Sequence, residues 1–96
     1  MTTEEKIFNA ARIVFQKKGF AGARMQEIAD EAGINKAMLH YCFKNKELLF
    51  QAVFMNAFGQ LAPKINDIFI SQDSIFDKIK KFTNSYISFV MLNPYL

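Results

Sequence analysis

The stretch RMQEIADEAGINKAMLHYCFKNKELL, residues 24–49, decides the fold. Met25, Ile28, Ala29 and Ala32 recur at helical spacing and give one short helix an apolar side. Gly33 stops that helix. Glycine accepts positive φ at little cost, so the next segment can leave at a steep angle. Asn35 is a good N-cap for a second helix that runs through Phe43. Ala29 and Ala32 are small where the two helices must approach, and Ile34 plugs the turn. Leu39 and Phe43 stand four apart and can anchor the second helix to a core. Asn35, Lys36, Ala37, Met38, His40 and Tyr41 are left for the outer face. This is the layout of a helix-turn-helix, whose second helix offers its N-terminal part to a duplex groove.

Working outward, the upstream segment predicts a helix from about Thr3. Thr2 or Thr3 can cap it, and Glu4 and Glu5 complement the positive end of its dipole. Ile7, Ala11, Val14, Phe15 and Lys18 follow the 3.6-residue period, flanked by Phe8 and Ala10. Gly19 is expected to end the helix, with Phe20 folding back onto the core. Downstream, Asn45 can cap a helix from Lys46 to about Phe58, with Leu48, Leu49, Ala52 and Val53 facing inward and Gly59 ending it. Ala62-Pro63 reads as a new helix start running to about Ile70. Ser74 caps a last helix, whose stripe is Ile75, Ile79, Phe82, Tyr86, Phe89 and Val90 and which Asn93-Pro94 breaks. Nothing reads as a strand pair, so the fold class is all-α.

Several fixed spacings in the opening block resemble a known family. Ile28-Ala29, Ala32-Gly33-Ile34, Lys36, Leu39, Phe43 and Lys44-Asn45-Lys46-Glu47-Leu48 match the signature of tetracycline-repressor-type (TetR) regulators, approximately I-A-x-x-A-G-V-S-K-G-T-L-Y-x-H-F-x-S-K-E-x-L. Lys18-Gly19-Phe20 also fits, and the likeness covers about residues 5–55. The resemblance implies a three-helix DNA-binding domain over residues 1–48, with its helix-turn-helix at about 25–44. Residues 49–96 would begin a helical ligand-binding and dimerisation domain. It implies that Lys46 meets a phosphate together with the backbone N–H groups at the start of helix four, and that His40 and Tyr41 bond flanking phosphates. Lys36, Ala37 and Met38 would meet base edges, Ala37 and Met38 being suited to thymine methyls. Gln26 would reach a base or phosphate, and Lys44 a further phosphate. Gly33 and Ile34 form the structural turn.

The chain departs from the signature on its groove-facing side. Arg24 stands where the family often has Thr or Ser, so the residues before it are expected to cap helix two. Ala37-Met38 replace a common Gly/Pro-Thr pair, His40 a common Tyr, and Cys42 a frequent His or aromatic. These changes alter what is read, not whether the fold forms.

Bulk properties narrow the alternatives. The net charge of +3 and pI near 9.1 are compatible with nucleic-acid binding but mild. Residues 1–50 carry eight Lys/Arg against six Asp/Glu, and residues 51–96 four against three. Any DNA contact must therefore come from folded geometry and not from a basic arm. One cysteine, Cys42, excludes an intrachain disulfide and, with the lone His40, leaves no metal constellation. Cys42 reads as a small apolar filler. The polar N-terminus and the lack of a ~20-residue apolar run point to a cytoplasmic protein with no membrane partner. Glu27, Asp30 and Glu31 are expected to form a solvated face turned away from DNA. No cofactor is implied, and no paired carboxylates, Ser/His/Asp set or phosphate-cradling loop suggests an enzyme.

The expected function is that of a ligand-responsive repressor, binding a palindromic double-stranded operator as a homodimer and released by a small-molecule inducer. The rival is a helical protein-interaction module that uses the apolar stripe of its last helix. Phe58, Phe69, Phe76, Phe82 and Phe89, with Met55 and Met91, read first as helix-to-helix core and second as inducer-pocket lining. Because that last stripe has little to cover it, Leu96 is not expected to be a natural end.

Overall fold

A computed structural model describes residues 1–95; Leu96, on which the expectation of a continuing chain rests, lies outside the described residues. Five helices follow one another: α1 (Thr3–Gly22), α2 (Met25–Ala32), α3 (Lys36–Cys42), α4 (Lys46–Ile70) and α5 (Ile75–Leu92). The described residues contain no strand. They divide into two compact units, Met1–Phe54 with Tyr95, and Met55–Pro94.

The first unit is built on α1. Thr2 Oγ1 accepts the Glu5 N–H at 3.1 Å and starts the helix. Ile7, Ala10, Ala11, Val14 and Phe15 then face inward and are buried, together with Phe8. They meet Ile28 and Ala29 of α2, Leu39 of α3, and Leu49 and Val53 of α4 in one cluster. Burying a side chain such as Leu39 or Ile28 contributes about 1.5–3 kcal/mol. The aromatic rings interlock at its edges, with Phe8 against Phe43 at 5.8 Å and Phe15 edge-on to Phe50 at 5.2 Å.

Gly19 breaks the regular helix, as expected, but does not end it. Its φ of 70° kinks the backbone, and helical turns resume to Gly22. The kink carries Phe20 under α4, where it lies 6.1 Å from Phe15 and 5.3 Å from Phe50.

Two downstream boundaries differ from the sequence reading. Gly59 does not end helix four, and Ala62-Pro63 does not start a new one; α4 runs unbroken from Lys46 to Ile70 with Pro63 inside it. The reason is register. Leu49, Val53, Ala57, Leu61 and Ile68 are all buried and fall on one helical face across the supposed gap. The proline removes the bond that the Gly59 carbonyl would receive, but Gly59 is exposed, so water can serve that carbonyl. Leu48 was expected inward and is 45% exposed, because Leu49 takes the core-facing position next to it.

In the second unit, Ser74 Oγ accepts the Asp77 N–H at 3.3 Å and starts α5. Phe58 and Phe89 meet edge-on at 6.4 Å. Lys78 donates to the Phe69 carbonyl at 3.0 Å, and Lys81 pairs with Asp73, closing the turn between the helices. No residue of α5 is buried. The core reading of Met55, Phe58, Phe69, Phe76, Phe82 and Met91 is corrected accordingly: all six side chains are exposed.

Candidate nucleic-acid interface

The turn between α2 and α3 closes with the bonds of a Schellman motif. Gly33 adopts φ 73°, ψ 29°, its N–H donates to Asp30 O at 3.2 Å, and the Ile34 N–H donates to Ala29 O at 3.0 Å. Ile34 is thereby turned onto the core. Asn35 then caps α3, its Oδ1 accepting the Met38 N–H at 2.7 Å. Cap and turn together fix the direction in which a seven-residue helix leaves.

Within α3 one side chain, Leu39, is fully buried. Phe43 caps the end, its N–H donating to Leu39 O at 2.8 Å and its ring resting on Phe8. Lys36, Ala37, Met38, His40 and Tyr41 are all exposed, as the sequence pattern predicts. Tyr41 projects furthest, at 84% exposure, with Met38 at 46%. Cys42 is also exposed, so the filler reading is corrected. The core is closed beside it by Phe43, which leaves no inward position for the thiol.

Around this face, Gln26 is exposed at the start of α2, with its Nε2 donating to Asp30 Oδ1 at 2.9 Å. Lys44 is exposed in the link to α4. Asn45 caps α4, accepting the Leu48 N–H at 2.9 Å. Lys46 is held differently from the other candidates. Its half-buried ammonium donates to Ala23 O at 3.1 Å and Ala21 O at 3.3 Å, and lies 4.6 Å from the centroid of the Phe20 ring.

Arg24 is the N-cap residue of α2 and makes no side-chain cap bond, so the cap expected from preceding residues is absent. Glu27 pairs with Lys18 at 2.5 Å. The Lys18 ammonium is the main cause that holds the Glu27 carboxyl below its ordinary 4.5; desolvation opposes it, and Arg24 adds to it. Glu27 is therefore half-buried and paired, whereas Asp30 and Glu31 are exposed. The roles of Lys46 and Glu27 were missed in the sequence, where spacing marks the face that Lys46 shares with Phe50 but not the carbonyls that Lys46 holds. Lys46 and Phe50 stand four apart on α4, and both meet the single ring that follows the Gly19 kink.

Chemically, the face offers hydrogen-bond donors and a methyl-accepting thioether on one helix, and among the described residues no buried polar side chain is left without a partner. Among the described residues no group of three or more His, Cys, Asp or Glu gathers to hold a metal ion. None of their helices is long and apolar enough to cross a membrane.

Known proteins share this arrangement. Residues 7–53 match the family described as bacterial regulatory proteins, tetR family. The chain is 33% identical over 94 residues to the HTH-type transcriptional repressor SCO4008 of Streptomyces coelicolor, covering 98% of this chain and 45% of that protein. It is 39% identical over 57 residues to the HTH-type transcriptional repressor NicS of Pseudomonas putida, covering 59% of this chain and 27% of that one. A crystal structure from Shewanella sp. PV-4, described as a tetR family transcription regulator, superposes with a TM-score of 0.81 at 25% identity. That match covers 99% of this chain and 50% of the other. The chain thus spans half or less of the length of each of these proteins.

Proposed function

From the premise that this chain belongs to the TetR family of bacterial regulatory proteins, we propose that it is the DNA-reading part of a transcriptional repressor. The observation that carries this reading is the outer face of α3. Lys36, Ala37, Met38, His40 and Tyr41 are exposed together while Leu39, in their midst, is fully buried. A helix held by one anchor and its two ends can enter a major groove without disturbing the core.

Lys36, Ala37 and Met38 meet base edges, the last two through thymine methyls. His40, Tyr41 and Lys44 bond phosphates, and Gln26 reaches a base or phosphate from the start of α2. The first turn of α4 adds backbone N–H groups to the phosphate set, while the Lys46 ammonium beside them is turned onto the Ala21 and Ala23 carbonyls. Residues 1–48 form the DNA-binding domain, and the chain from residue 49 begins a helical regulatory domain. The whole protein works in the cytoplasm without catalytic activity, as a homodimer on a palindromic operator. Its two α3 helices then lie about one helical turn apart, ~34–36 Å. A small ligand in the regulatory domain releases DNA by binding a state with a different spacing more tightly.

The test is a gel-shift titration of the whole protein against the promoter region of its own gene, with random DNA as the control. Salt-sensitive binding that prefers the promoter fragment is expected. No salt-sensitive binding at any protein concentration would favour a helical interaction module instead.

A further inference from the structure

We propose that Lys46 is a positioning residue, which locks the start of α4 onto the end of α1 and so sets the angle at which α2 and α3 meet DNA. The affinity part of this proposal rests on the DNA-binding reading above; the contact itself does not.

A helix end leaves carbonyls without intrahelical partners, and cations near it are favoured. Beyond the Gly19 kink, Ala21 and Ala23 present two such carbonyls, and the Lys46 ammonium lies 3.3 and 3.1 Å from them. Lys46 thus acts as a C-terminal cap for α1, supplied from another helix 23 residues further along the chain. The Phe20 ring completes the fastening. The ammonium stands 4.6 Å from its centroid, and Phe50, one turn along α4, meets the same ring edge-on at 5.3 Å. A cation and an aromatic four residues apart therefore hold one ring between them.

Ala23 is buried, and Arg24 directly follows it as the first residue of the α2 cap. Because α2 lacks a side-chain cap at Arg24, the placement of Ala23 does more to fix where α2 begins. Two of the three ammonium protons are engaged on carbonyls. That makes Lys46 a poorer phosphate ligand than Lys44, which is exposed.

The experiment compares the whole wild-type protein with Lys46→Met and Lys46→Arg. Each is titrated, over a range of salt, with a DNA fragment that the wild-type protein selects from a random pool and with an unselected fragment. Amide exchange is followed in the free proteins. Lys46→Met keeps the stem but loses every donor. It should lose affinity for the selected fragment by about tenfold, the factor that ~1.4 kcal/mol represents. Affinity for the unselected fragment and the salt slope should stay unchanged. The amides of residues 20–24 should exchange faster, Ala23 foremost, while those of α2 and α3 stay as protected as before. Lys46→Arg, which can still donate to both carbonyls, should restore discrimination. A salt slope shallower by about one per subunit, with equal loss on both fragments, would make Lys46 a phosphate ligand and overturn the proposal. Faster exchange throughout the unit, or none anywhere, would overturn it too. If the wild-type protein binds neither fragment, the DNA reading fails, and the exchange pattern alone decides whether the lock exists.

Discussion

Leu39 and Met38 are neighbours in α3, one fully buried and the other 46% exposed, and this single step around the helix separates folding from reading. Met38 touches nothing the core needs, and alanine is the better helix former, so Met38→Ala should leave the melting temperature nearly unchanged. Its thioether is suited to a thymine methyl. The substitution should shift the preferred base at one position by ~1–3 kcal/mol at most, read by selecting sites with each protein. An equal loss on specific and random DNA would remove Met38 from the base-reading set. At this scale the sequence was legible where periodicity alone decides, as at Leu39, Ile28 and Val14. It was not legible at Lys46, whose partners are backbone carbonyls more than 20 residues away. Carbonyls carry no sequence signal. Cys42 misled for a related reason: the end of α3 places Phe43, not the thiol, against Phe8.

Among the elements, three glycines looked alike as helix stops and behaved in three ways. Gly33 ends α2 at positive φ, Gly19 kinks α1 without ending it, and Gly59 lies unremarked inside α4. What separates them is the backbone that each position adopts under its local packing. The buried face of α4 keeps its spacing through Gly59 and Pro63, whereas at Gly33 a φ of 73° and the Ile34 N–H bond to Ala29 O turn the chain out of the helix, although Ile28 and Leu39 would share one face of a continuous helix. A local breaker predicts a stop only when packing does not require the helix to continue. Gly33 therefore carries a backbone cost that can be isolated. A Cβ added there would meet no atom within 4 Å, so a substitution is opposed by φ alone. Gly33→Ala should destabilise the first unit by roughly 1–2 kcal/mol, measured by denaturant unfolding, through the left-handed backbone that alanine disfavours. An unchanged midpoint would mean that the turn relaxes to another conformation. In that case DNA affinity should fall instead, because α3 would leave α2 at a different angle.

For the whole molecule, the charge sets how strongly any DNA complex can depend on salt. The net charge is only +3, and acidic residues are interleaved with the basic ones throughout. Binding must then come from a few placed cations rather than from a general field. Lys36 is assigned to base edges and Lys46 is held back by its carbonyls, which leaves Lys44 as the phosphate-binding lysine. Each phosphate neutralised contributes about −0.9 to the slope of log K against log salt. One lysine per subunit in a homodimer neutralises about two phosphates, which predicts a slope near −1.8. If Lys46 also served as a phosphate ligand, four phosphates would give about −3.6. The two values are far enough apart for a titration between 50 and 200 mM salt to separate them, because affinity would fall by about 12-fold in one case and about 150-fold in the other. A slope near −0.9 would instead fit a single subunit on the DNA, and would count against the dimer while leaving the face of α3 as the surface that binds.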